Sequence, residues 1–129
     1  MNILFIIGSL EVSGAQCFLL RLVSYFKKQG HNVFLYNVHP SKVDKDILIL
    51  LSDNLTVINA FYEKIELKLK HFPILMKIFH RLFDRYRFDS FFLRGLIKKN
   101  NIEIINTHLY LADLYISKLK IQAIPKISS

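Results

Sequence analysis

The first 38 residues confine the fold more tightly than any other stretch. Ile3–Ile7 is an unbroken apolar run, and Gly8–Gly14 is a loop bounded by glycines. Ala15–Gln29 is an amphipathic segment, Gly30 a glycine stop, and Val33–Val38 a second apolar run. Two strands this far apart cannot form a hairpin, and a helix between them is the usual crossover of a parallel βαβ unit. Unbroken apolar runs suit strands covered on both faces, as in parallel sheets. Ala15, Phe18, Leu19, Leu22, Val23 and Phe26 repeat at helical spacing and give the crossover one core-facing stripe. Lys27 and Lys28 suit its negative end, and Gly30 suits a left-handed stop.

The same alternation continues. A short helix is expected over Val43–Leu51, with Ser41 or Asp44 as its cap, and a third strand over Leu55–Phe61. A long helical region follows, broken at Pro73. Within it Leu75, Ile78, Phe79, Leu82, Phe83 and Tyr86 form an apolar stripe, flanked by a basic one of Lys77, Arg81 and Arg85. A helix over Asp89–Lys99, a fourth strand over Ile102–Asn106 and a helix over Leu111–Gln122 come next. Pro125 breaks that helix, and Lys126–Ser129 reads as the start of a fifth strand. Strands alternating with helices imply an α/β, Rossmann-like parallel sheet, with 3-2-1-4-5 as the expected order. In such sheets ligands bind beyond the carboxyl ends of the strands, where the order reverses. Here the loops flanking that point are Gly8–Gly14 and Asn106–Tyr110.

Composition excludes several classes. At 129 residues, 52% apolar and 22% charged, the chain can bury a core and is not disordered. No apolar run reaches the roughly 18 residues that span a bilayer. No Lys or Arg precedes Arg21, so the charged start of a signal peptide is missing. Cys17 is the lone cysteine, so no internal disulfide forms and a cytoplasmic location is the default. The net charge of +8 is concentrated: residues 63–99 hold 10 Lys/Arg against 4 Asp/Glu, a net +6.

The loop before the first helix fails both the GxGxxG and the P-loop patterns. What it keeps is a small-residue approach to a helix N-terminus, Ser13-Gly14-Ala15, followed by Gln16. Free N–H groups there can receive a phosphate or a sugar hydroxyl; equally, Gly14 can serve only tight helix–strand packing. His108, after the fourth strand, is placed to reach a ligand or simply to hydrogen-bond at a strand end. His31 reads as structural, His71 and His80 as surface residues, and Cys17 as a packing residue. Five scattered histidines and one cysteine make no metal-ligand cluster, and no cofactor is expected. The basic segment has three readings. It can be a solvated face, or a membrane-surface element in which Lys77, Arg81 and Arg85 meet anionic lipid beside Phe72, Phe79, Phe83 or Phe88. Nucleic acid is the weakest, because the aromatics fall on the apolar stripe.

Several of these motifs together resemble a known family. Met1–Ile6, Ser13-Gly14-Ala15-Gln16, Gln29-Gly30-His31-Asn32-Val33 and Ile102–His108 look like successive landmarks of a family 4 glycosyltransferase of the GT-B fold. The family's loop is typically Gly-Gly-Ala-Glu, its turn Gly-His-Glu-Val and its later strand Asp-Ile-Ile-His-x-His. Ser13, Gln16 and Asn106 depart from those patterns. The resemblance spans essentially the whole chain and is weakest over residues 41–95. It implies an incomplete N-terminal half of a GT-B enzyme, with residues 1–129 as an acceptor-side domain. It further implies retaining transfer of a sugar from a nucleotide-sugar donor to a glycan or lipid-linked acceptor in surface polysaccharide or glycolipid synthesis. The implied donor-binding C-terminal domain, with its paired glutamates, lies outside this chain. The fragment alone is then expected to be inactive, cytoplasmic or peripheral on the cytoplasmic membrane face. Ser13, Gly14, Ala15, Gln16 and His108 are the implied substrate-binding residues; the catalytic residues stay unassigned, and no metal or nucleic acid is implied. A non-catalytic Rossmann-like binding or regulatory module, or a decayed gene remnant, is the alternative.

Overall fold

The computed structural model describes residues 1–11, 14–47, 55–119 and 125–128. β1 (Asn2–Ile7) lies in the middle of a parallel sheet, between β2 (Asn32–Asn37) and β4 (Ile104–His108). β3 (Thr56–Asn59) extends the sheet beyond β2 in parallel. The body of the sheet thus runs β3-β2-β1-β4, and Lys126–Ser128 (β5) pairs in parallel outside β4. This is an α/β parallel sheet, and it fits a Rossmann-like fold.

The apolar run of β1 is buried because both of its faces are covered. Ile3, Phe5 and Ile7 pack with Leu19 and Val23 of α1 (Gly14–Lys28), together with Val33, Leu35 and Ile47. Leu4 and Ile6 face the other layer, with Leu93 and Ile97 of α4 (Arg85–Lys99) and Ala112, Tyr115 and Ile116 of α5 (Tyr110–Leu119). α1 ends as its glycine demands. Gly30 has φ 86°, its N–H donates to the Lys27 carbonyl, and the His31 N–H donates to the Phe26 carbonyl. Between β3 and α4 come α2 (Phe61–Leu69) and α3 (Pro73–Leu82), with α2 packed on α4. Residues 45–47 are helical and Asp44 accepts the Asp46 N–H. The remainder of the helix expected over Val43–Leu51 lies outside the described residues.

Several expectations are corrected. The third strand stops at Asn59, where the Ala60 N–H still donates to Asn37, and Phe61 opens α2 instead. The fourth strand runs on to His108, because β1 offers partners as far as Ile7. The helical region breaks a second time at Phe83-Asp84: Phe83 is extended, and Asp84 caps α4 by accepting the Arg87 N–H. Tyr86 therefore belongs to α4, not to the stripe of α3. That stripe is not core. Of α3, only Phe79 is buried, while Ile74, Leu75, Ile78 and Leu82 are exposed. Cys17, expected to pack, is also exposed. Spacing reveals an amphipathic helix but not what its apolar face meets.

Candidate functional site

The carboxyl ends of the strands carry a row of residues in register: Asn59, Asn37, Ile7 and His108. Neighbouring strands lie about 4.8 Å apart, so the row spans about 14 Å. In-register neighbours of a parallel sheet point to one face. Ile7 packs against the α1 layer, so Asn37 and His108 face that layer too.

His108 is 4% exposed and closes the row at the first turn of α1. Its Nε2 lies 3.0 Å from the Ala15 carbonyl oxygen. A carbonyl only accepts, so Nε2–H is the donor, and whenever the ring is neutral Nδ1 is an acceptor. Among the described residues, that Nδ1 is buried without a protein partner. Phe18 stacks over the imidazole with centroids 6.0 Å apart. Gln16, 6% exposed, repeats the pattern: its Nε2 donates to the Ser9 carbonyl at 3.3 Å, leaving Oε1 buried and unpartnered. Asn37 does so a third time, donating to Asn59 Oδ1 at 3.5 Å with its own Oδ1 unpartnered. Three buried acceptors without donors among the described residues are unusual, since buried polar atoms are normally paired.

Donors stand beside them. α1 starts at Gly14, and the first N–H groups of a helix have no partner within it. A side chain added at Gly14 would meet no atom of the described residues within 4 Å. Tight packing against the described residues is therefore not why a glycine stands there. Such an arrangement can hold an anion on the amides and accept hydrogen bonds from hydroxyls next to it. The β4–α5 turn is unusual as well. Leu109 has φ 71°, in the left-handed region bulky side chains rarely adopt, and its carbonyl accepts the Ala112 and Asp113 N–H groups.

Of the residues expected from sequence, Gly14, Ala15, Gln16 and His108 come together here, whereas Ser13 lies outside the described residues. Lys77 and Arg81 are exposed on α3. Arg85 leaves their row because the chain breaks before α4. Its guanidinium donates to the Val38 carbonyl at 3.3 Å and lies 3.6 Å from Glu63 and 3.9 Å from Asp89.

That contact belongs to a second cluster that sequence reasoning missed. Glu63 accepts from His39 at 3.1 Å and from the Ser41 hydroxyl. Burial pushes the Glu63 carboxyl up, but these bonds and the charges of His39 and Arg85 outweigh it and hold it below the usual range. Behind it, Tyr115 donates to Asp89 at 2.7 Å, the Tyr62 N–H donates at 3.2 Å, and Tyr36 completes the chain at 2.9 Å from the Tyr115 hydroxyl. Burial raises the Asp89 carboxyl above its ordinary range despite the bonds from Tyr115 and Tyr62 and the charge of Arg85. Burial likewise pushes both phenols far up. His39, Glu63, Glu66 and Arg85 line a cleft of about 410 Å³ that Lys70 and Met76 complete. The available signals were Asn37 closing an otherwise apolar strand and the Arg85–Asp89 pair four apart in an aromatic helix.

Fold and rim together define a parallel α/β sheet with buried polar side chains at the carboxyl ends of its central strands. No protein family, curated protein or solved structure was found to match the chain. Among the described residues, no cluster of His, Cys, Asp or Glu could hold a metal ion, and no helix is long and apolar enough to cross a membrane.

Proposed function

We propose that this chain forms the acceptor-side wall of a sugar-transfer cleft, as the N-terminal half of a family 4-like glycosyltransferase of the GT-B fold. The enzyme would move a sugar, with retention, from a nucleotide-sugar donor to a glycan or lipid-linked acceptor of a surface polysaccharide or glycolipid. The observation that carries this reading is the set of three buried acceptors, Gln16 Oε1, Asn37 Oδ1 and His108 Nδ1. A hydroxyl-rich ligand supplies donors to such atoms, and its phosphates suit the amide end of α1 beside them. The donor's remaining contacts would come from a second α/β domain.

Amide-resolved NMR titration tests the reading. Nucleotide sugars should shift the Gly14–Gln16 amides and the His108 ring, and more strongly than inorganic phosphate does. Resonances indifferent to both would sink it.

One observation favours a second reading, a non-catalytic binding or regulatory module. His108 already spends its Nε2 proton on fastening α1 to β4. Sugar transfer on pairing with a donor-binding domain supports the enzyme; ligand binding without transfer supports the module.

A further inference from the structure

α3 is the part of the fold whose packing makes least sense in water. Its inner side is well held: Phe79, 8% exposed, stacks on Tyr62 with centroids 4.8 Å apart, and His80 donates to Glu66 at 3.2 Å. Its outer side is not. Ile74, Ile78 and Leu82 succeed one another at four-residue spacing, so they form a single row along the helix. Ile74 is 75% and Leu82 69% exposed, and about half of Ile78 is exposed too. Leu75 and the flanking Phe72 and Phe83 widen this surface. Beside the apolar row runs a basic one. Lys77 follows Ile74 by three residues and Arg81 follows Ile78 by three, which places each cation against an isoleucine. The helix contains no acidic residue. Any occupant of this face must therefore be apolar and anionic at once.

We infer that α3 docks flat on an anionic lipid surface, with Ile74, Ile78 and Leu82 among the acyl chains and Lys77 and Arg81 on the headgroups. A short helix with an apolar row, a basic flank and no acid is the usual design of an in-plane membrane element. Residues 63–99, which include this helix, carry a net +6, which adds long-range attraction to an anionic surface. Phe88 contacts both Phe83 and Phe61 and so continues the apolar surface from α3 into a cleft of about 640 Å³ beside β3. The inference stands apart from the sugar-transfer reading: it would hold for any protein with this face.

The chain has no tryptophan, so a single introduced one reports its own surroundings. Ile78→Trp should shift its emission to the blue on vesicles of equimolar phosphatidylglycerol and phosphatidylcholine at low salt, and brominated lipid should quench it. Tyr25→Trp, exposed on α1 across the sheet, should not respond. Vesicles of phosphatidylcholine alone, or molar salt, should release the protein. The double variant Lys77→Gln/Arg81→Gln should keep its circular dichroism and bind about 25-fold more weakly, roughly fivefold per charge. Failure to bind anionic vesicles at low salt overturns the inference. So does a response at position 25 rather than 78, or a blue shift that depends on protein concentration without lipid, which would make this face an interface between copies.

Discussion

His108 donates from Nε2 to the Ala15 carbonyl, 3.0 Å away, and so ties the end of β4 to the first turn of α1. The residues are far apart in sequence, yet the bond fixes which ring nitrogen carries the donated proton. Replacing the ring by leucine keeps the volume and loses the bond. His108→Leu should cost about 1 kcal/mol in urea denaturation and remove the NMR response to nucleotide sugars. A variant that binds them as before would leave the imidazole a purely structural role.

Gly14 separates binding from packing more cleanly. A Cβ there meets no atom of the described residues within 4 Å. Gly14→Leu should therefore change stability by less than about 0.5 kcal/mol, while its side chain blocks the amide end of α1. Calorimetric titration should show ligand binding lost with the thermal midpoint held.

Glu63 makes stability depend on pH with a definite sign. Its folded carboxyl titrates below the ordinary value, so its contribution is present above the unfolded value of 4.5 and fades as pH falls through the folded one. Glu63→Gln should cost about 1–2 kcal/mol near neutrality. The difference from the parent protein should shrink in acid, as urea midpoints across a pH series would show.

Asp89 runs the other way. Its folded carboxyl titrates above 3.8, so its contribution is greatest below that value and declines as pH rises through the folded one. Tyr115→Phe removes a bond to Asp89 and leaves the Tyr36 hydroxyl without its partner. It should cost about 1–3 kcal/mol. Combined with Asp89→Asn, the loss should be smaller than the sum of the two single losses, because both act on one network.

Leu109 stores strain at the β4–α5 turn, with φ 71°. Leu109→Val adds β-branching where the backbone is already left-handed and should lower stability by about 1–2 kcal/mol. Leu109→Gly should be close to neutral, relief of strain offsetting the entropy glycine brings to the unfolded chain. Thermal midpoints of the two variants should therefore fall in the order Gly above Val.

The βαβ start was legible because everything that shapes it is local: an apolar run, a helical stripe, a glycine that must turn left. Gly14, Gln16 and His108 followed from topology, since a parallel sheet places both loops at one crevice. Asn37 did not, because its importance comes from register with Ile7 and from a neighbour, Asn59, on another strand. The cluster of His39, Glu63, Arg85 and Asp89 draws on separate elements, and no spacing along the chain announces it. The amphipathic stripe of α3 was legible, but not which of its apolar residues would be exposed. Periodicity records that a helix has two sides, and only the surrounding elements decide which medium each side meets.

β1 pairs with β2 through Asn2 and Asn32, and with β4 through Ile3 and Ile104. The first pairing closes a short loop; the second waits for most of the chain. During synthesis the βαβ start can form early, with one flank of β1 still open, and it gains its second neighbour only when residues near 104 have emerged. The junction of β1 with β4 is thus completed late, with only α5 and β5 still to follow. Anything that slows the closing of β4 onto β1 prolongs a state in which a bare, apolar strand edge is offered to other chains.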